Sequence, residues 1–123
     1  MKLLLVTATY LEAQRIINSL SFKRKNQYLY IHPRIDILVT GIGMVNTAFV
    51  MGKEIKPTDY EKMVNIGIAG SFDHNRKLGE LVEVKEEIFV DLGVETESSF
   101  LSLEHIGFAF YTDAKNKHIF YNS

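Results

Sequence analysis

The sequence of 123 residues predicts one α/β domain, a mixed sheet flanked by helices in three layers. Short apolar runs typical of buried strands alternate with segments whose apolar residues recur at helical spacing. Two glycine turns, Thr40–Asn46 and Asn65–Ser71, each follow an apolar run and start about 25 residues apart. Because open α/β sheets bind ligands beyond the carboxyl ends of their strands, the two turns together predict a pocket.

The first strand and the first helix are predicted by the N-terminal 20 residues. Lys2–Ala8 is an apolar run typical of a central strand. Thr9 and Glu12 then form the Thr-x-x-Glu pattern of a helix start. The apolar residues that follow at helical spacing are Leu11, Ile16, Ile17 and Leu20. They predict an amphipathic helix over roughly 10–20.

The remaining elements are predicted from periodicity and from turn residues. In the middle of the chain these are a turn at Ser21–Gln27, strands at Tyr28–His32 and Ile35–Thr40, a helix at Met44–Ile55 and a buried strand at Met63–Ile68. The elements predicted in the C-terminal part are a long strand with one solvent-exposed face at Leu81–Phe89, a loop at Glu95–Leu103 and a hairpin of Gly107–Tyr111 with His118–Tyr121. Pro33 separates the second and third strands, and Pro57 ends the second helix.

Composition excludes several classes of function. The net charge of −1 gives no electrostatic basis for binding nucleic acid or an anionic membrane. With no cysteine, disulfides and thiolate zinc sites are excluded. No apolar run reaches the length of a membrane span, and no signal-peptide cleavage site follows Thr7, so a cytoplasmic location is expected. The four histidines show no metal-ligand spacing, and we expect no metal.

Glu12 is the main catalytic candidate, with two interpretations. As the third residue after Thr9 it completes a capping box, a common structural role. A carboxylate there could also serve catalysis, by activating water or by stabilising a positive charge that develops on a substrate. The glycine turns also have two interpretations. Gly41, Gly43 and Gly70 either let the backbone approach a ligand or only form tight turns.

Several segments together resemble the purine nucleoside phosphorylase and nucleosidase superfamily. They are the first strand with Ala8, Val39–Gly43, Gly67–Gly70 and Leu78–Val82. Phe89–Glu95 and Phe100–Glu104 resemble its futalosine hydrolase branch. The resemblance covers nearly the whole chain but only the N-terminal half of the family's domain, so residues 1–123 are expected to form a partial phosphorylase-like domain that is apparently truncated.

The resemblance implies a nucleosidase that needs neither metal nor organic cofactor. Glu12 takes the catalytic role, and the ribose and base walls are formed by Ala8, Thr40, Gly41, Ile42, Gly43, Ile68, Ala69 and Gly70. Methylthioadenosine nucleosidases have Ser where Ile68 stands, which favours the futalosine branch. A nucleoside is the expected small-molecule partner, and self-association through an incomplete sheet is expected as well, since the family is commonly dimeric.

One departure from the family leaves alternatives open. The family's second half contains a Met-Glu element that binds the ribose and an Asp that protonates the leaving base. Nothing after Tyr121 supplies either of them. The chain is therefore expected to be a poor catalyst alone. It is alternatively an inactive nucleoside-binding or interaction module. A methylthioadenosine/S-adenosylhomocysteine nucleosidase or a phosphorylase is a weaker alternative, the latter because no basic phosphate ligands stand near the glycine turns.

Overall fold

The computed structural model of the chain forms two compact units, Met1–Phe72 and Asp73–Ser123. The structure describes residues 2–88, 91–103, 105–107 and 119–121, and for Ile88 and Ile119–Tyr121 the backbone alone. Within these residues, no helix is both long enough and apolar enough to cross a membrane.

The first unit is a five-stranded mixed sheet with two helices. Its strands are β1 (Lys2–Thr7), β2 (Lys23–Arg24), β3 (Leu29–Ile31), β4 (Ile35–Val39) and β5 (Tyr60–Asn65). Its helices are α1 (Tyr10–Ser19) and α2 (Met44–Glu54). The strand order is β2-β3-β4-β1-β5, with β1 parallel to β4 and β5 and the other pairs antiparallel. The predicted α/β class with a mixed sheet is confirmed.

The two helices pack on opposite faces of this sheet, because successive side chains of a strand point to opposite faces. Leu5 on β1 lies in a buried cluster with Ile37 of β4 and Ala13 of α1. Its neighbour Leu4 lies in a second cluster, whose other buried members are Val6, Leu29, Leu38, Val50 of α2 and Ile55. The apolar run of β1 is therefore buried on both sides, as the sequence predicts for a central strand.

The prediction of a buried strand at Met63–Ile68 is wrong in position and in burial. β5 ends at Asn65 and forms an edge of the sheet, with Met63 43% exposed. An edge strand has one neighbour, and the exposed charged pair Glu61 and Lys62 suits that position. The predicted turn at Ser21–Gln27 also contains the two residues of β2.

The second unit contains two short antiparallel pairs. β6 (Glu86–Ile88) pairs with β9 (Ile119–Tyr121), and β7 (Gly93–Glu95) pairs with β8 (Phe100–Ser102). The long strand predicted at Leu81–Phe89 is wrong, since residues 81–85 have no regular structure and Leu81 is exposed.

The loop predicted at Glu95–Leu103 is a hairpin instead. Thr96 N donates to the Ser99 carbonyl at 2.8 Å, and Ser99 N donates to Thr96 Oγ1 at 3.1 Å, which closes the turn between the two strands. Of the predicted terminal hairpin, residues 108–118 lie outside the described residues, and β9 pairs with β6.

A buried carboxylate ties the amino end of the sheet together. Asp36 on β4 is 4% exposed and accepts hydrogen bonds from Lys2 Nζ at 3.2 Å, Tyr60 OH at 3.0 Å and His32 N at 3.1 Å. Burial, together with the Asp36 carboxylate, raises the pKa of Tyr60, so its hydroxyl stays protonated and donates. Asp36 thereby joins β1, β4 and β5 through side chains as well as backbone.

We predict that Asp36→Asn lowers the free energy of unfolding by about 2 kcal/mol, because hydrogen bonds to a charged group are lost and an amide cannot accept at both positions. Urea denaturation followed by circular dichroism measures the change. Glu61→Gln, an exposed carboxylate on β5, is the matched control and should stay within about 0.5 kcal/mol of the parent chain. Equal effects of the two variants would contradict the prediction.

Candidate active site

The carboxyl ends of β1, β4 and β5 lie side by side, and the segments that follow them stay together. Thr40 N donates to the Thr7 carbonyl at 2.9 Å, and Gly41 N donates to the Ala8 carbonyl at 2.9 Å. On the other side of β1, Ile66 N donates to the Val6 carbonyl at 2.8 Å. The two glycine turns of the sequence therefore flank the start of α1 at one edge of the sheet.

Glu12 lies in the first turn of α1 and closes the predicted capping box with Thr9, which is confirmed. Its Oε2 accepts from Thr9 N at 2.8 Å and from Thr9 Oγ1 at 2.9 Å. Thr7 Oγ1, at the end of β1, donates to the same oxygen at 3.0 Å. One carboxylate oxygen thus satisfies donors from both the helix cap and the central strand.

The other oxygen of Glu12 faces the second glycine turn. Oε1 accepts from Ile68 N at 3.3 Å, across 56 positions of sequence. A Cβ atom at Gly67 would stand 3.0 Å from Oε1, closer than most side-chain contacts allow. The absence of a side chain at Gly67 therefore lets the carboxylate reach the turn, which is a close approach that a capping role alone does not require.

These hydrogen bonds keep Glu12 ionised. The Thr9 hydroxyl contributes most to lowering the pKa of Glu12, burial partly opposes it, and the Thr9 and Ile68 amides and the Thr7 hydroxyl lower it further. Because the folded pKa lies below the unfolded one, the carboxylate stabilises the fold above the unfolded pKa, and this contribution is lost as pH falls through the folded pKa.

The first glycine turn owes its shape to positive backbone angles. Gly41 has φ 87° and Gly43 has φ 94°, conformations that other residues rarely adopt. The Thr40 hydroxyl is buried and lies 3.0 Å from the Gly41 carbonyl and 3.1 Å from Thr47 Oγ1. The buried Thr40 hydroxyl thus stabilises the conformation of the turn. Thr40 would contribute to a pocket indirectly, by ordering this turn.

The structure brings four of the predicted site residues, Ala8, Glu12, Gly41 and Ile68, to the carboxyl edge of the parallel strands. The remaining predicted residues are Thr40, which is buried, and Ile42, Gly43, Ala69 and Gly70, which are exposed. Ile42 is 75% exposed and Ile68 90% exposed, so each turn presents an apolar side chain. Among the described residues, no group of three or more histidines or acids could hold a metal ion.

Sequence reasoning missed the role of the Thr7 hydroxyl. A threonine that ends an apolar strand is ordinary in sequence, since β-branched residues favour strands. The available signal was the spacing Thr7-x-Thr9-x-x-Glu12, in which two hydroxyls precede a carboxylate on the first helical turn. The sequence places Gly67 in the small-residue turn, and its proximity to Glu12 depends on tertiary contacts that local sequence does not indicate.

A carboxylate held between strand ends and beside glycine turns is an arrangement typical of small-molecule sites in α/β proteins. No family model matches the chain, and no solved structure matches it. Futalosine hydrolase of Thermus thermophilus is 40% identical over 58 residues, covering 47% of this chain and 26% of that protein. The match therefore spans about a quarter of that relative's length, and it supports a nucleosidase relationship only over that part.

We predict that Gly67→Ala raises the pKa of Glu12, because the added methyl displaces Oε1 from Ile68 N. The measurement is a titration of the Glu12 side-chain carboxyl carbon by nuclear magnetic resonance. Gly70→Ala lies in the same turn with no atom within 4 Å of the added methyl, and its Glu12 pKa should match the parent chain. The same pKa in both variants would refute the contact with Gly67.

Proposed function

We propose that this chain contributes the catalytic carboxylate and part of the nucleoside pocket of an N-glycosidase similar to futalosine hydrolase. The reaction is hydrolysis of the bond between a purine-type base and a ribose. The observation that carries the proposal is the ionised Glu12 carboxylate, which lies at the carboxyl edge of the parallel strands with Oε1 beside Ile68 N. The partial match to futalosine hydrolase supports the same substrate class.

The geometry favours a particular role for Glu12. As the glycosidic bond breaks, positive charge develops on the ribose. A carboxylate with a lowered pKa remains charged at neutral pH but is a weak base. We therefore assign Glu12 to electrostatic stabilisation of the sugar cation and to orientation of the attacking water, rather than to full removal of its proton before attack.

The turns on either side supply the walls. Gly67, Ala69 and Gly70 present backbone with small side chains or none, which suits stacking of a flat base. Ile68, in the same turn, adds apolar surface. Ile68 has no hydroxyl to hold a water molecule, which supports the futalosine branch, whose leaving base is hypoxanthine, over methylthioadenosine nucleosidases. Helices on both faces of a mixed sheet agree with a three-layer arrangement of the phosphorylase type.

A second candidate is a nucleoside-binding or interaction module without catalysis. It is favoured by the extent of the match, since 26% of the relative's length is covered. In the family the acid that protonates the leaving base belongs to the part that this chain does not match. Base release by these 123 residues should therefore be slow, since a positioned general acid contributes about 10²–10⁴-fold.

We predict that Glu12→Gln weakens binding of a cationic iminoribitol that carries a purine base by about 10-fold or more, and changes binding of the neutral nucleoside much less. The carboxylate attracts the positive charge that the iminoribitol shares with the transition state. Isothermal calorimetry with the iminoribitol and with futalosine measures both affinities, and chromatography measures released hypoxanthine.

Glu61→Gln, which removes an equally charged but exposed carboxylate, is the control and should bind both compounds as the parent chain does. Equal weakening of both compounds by Glu12→Gln would favour the binding module. Binding of neither compound to the parent chain would overturn the nucleoside proposal.

We also propose that the chain associates with itself through the edge of its sheet. β5 is an edge strand, and its Met63 is 43% exposed beside unpaired backbone. Light scattering after size exclusion should show a mass that rises with concentration, and Met63→Lys should reduce it by placing a charge at that edge. Leu78→Lys, at an exposed apolar residue outside the sheet, should not. A monomer at every concentration would contradict this proposal.

A further inference from the structure

We propose that Thr7 is a positioning residue for Glu12, holding the carboxylate so that Oε2 faces the sheet and Oε1 is left for the ligand. This inference rests on the proposed function for its catalytic meaning. Thr7 acts through Glu12 and is not assigned contact with substrate. The geometry of the carboxylate itself can be tested without any turnover.

The Thr7 hydroxyl is held by the sheet rather than by the helix. Thr7 is the last residue of β1, is 0% exposed and pairs with Val39 of β4. Its carbonyl accepts from Thr40 N at 2.9 Å, so backbone contacts fix its position. A hydroxyl in this place is anchored to the most buried strand of the unit, whereas Thr9 is the cap of α1.

The two oxygens of Glu12 are engaged unequally. Oε2 receives three donors, at 2.8, 2.9 and 3.0 Å, which is one more than its two lone-pair sites and leaves it no capacity for a ligand. Oε1 accepts from Ile68 N at the longer distance of 3.3 Å. Oε1 therefore retains capacity to accept from a water molecule or to lie against a sugar cation.

The hydrogen bond from Thr7 Oγ1 to Glu12 Oε2 distinguishes this arrangement from an ordinary helix cap. A capping box needs only the reciprocal bonds between Thr9 and Glu12. The Thr7 bond adds nothing to the unsatisfied amides of the helix, and a buried strand end could accommodate valine of the same shape. A buried hydroxyl aimed at the carboxylate instead restricts its rotation, as preorganised sites require.

The experiment compares Thr7→Val, which removes the hydroxyl at constant shape, with Thr7→Ser, which keeps it. Titration of the Glu12 carboxyl carbon should show a raised pKa in Thr7→Val and the parent pKa restored in Thr7→Ser. Thr40→Val removes a buried hydroxyl that donates to the Thr7 carbonyl and to no atom of Glu12; because Thr40 N still bonds that carbonyl, the Glu12 pKa should match the parent chain. Thr7→Ala replaces Thr7→Val if the latter does not fold.

Where base release is measurable, the acid limb of the pH profile of kcat/KM should move upward with the same pKa in Thr7→Val and return in Thr7→Ser. A merely structural threonine would lower stability and leave both the pKa and the acid limb unchanged, and that result overturns the inference. A shifted pKa in a chain that binds no nucleoside confirms the positioning of Glu12 and overturns the proposed function, so the two failures are distinguishable.

Discussion

β1 pairs in parallel with β4 on one side and with β5 on the other, and the positions of the site residues follow from that pairing. Parallel neighbours end at the same edge of a sheet, so segments far apart in sequence leave it together. The Thr7 and Ala8 carbonyls then accept hydrogen bonds from the first glycine turn. The Val6 carbonyl accepts from Ile66 N in the second glycine turn. Without a central β1, Glu12 would cap its helix and contact nothing beyond it.

In the proposed function, Glu12 combines a structural and a chemical role in one side chain. The bonds that cap α1 also lower the pKa of the carboxylate and hold one of its oxygens away from the open edge. A helix start is therefore a suitable place for a carboxylate that must stay charged and fixed. The stabilisation that makes the cap favourable is the same interaction that weakens Glu12 as a base, and this shifts its expected contribution toward stabilising positive charge.

The functional conclusion depends on a site rather than on the fold, since α/β sheets with helices on both faces serve many chemistries. The fold class lacks the chemical detail that the site supplies. That detail consists of the Glu12 carboxylate, its close approach to Gly67, and the exposed side chains of Ile42 and Ile68. The match to futalosine hydrolase covers about a quarter of that protein's length, so the reaction class is a proposal that rests on this match together with the position of Glu12.

The sequence by itself determined the elements whose signals are local. The capping box at Thr9 and Glu12, the apolar run of β1 and the glycine turn that follows β4 were predicted, because each depends on neighbouring residues. Tertiary structure decided what depends on distant partners. It placed β5 at an edge, reduced the predicted strand at Leu81–Phe89 to β6, and formed a hairpin from a predicted loop. It also brought Thr7 and Ile68 to the two oxygens of Glu12, because the contact of Ile68 with Glu12 spans 56 positions and exists only when β1 and β5 are paired.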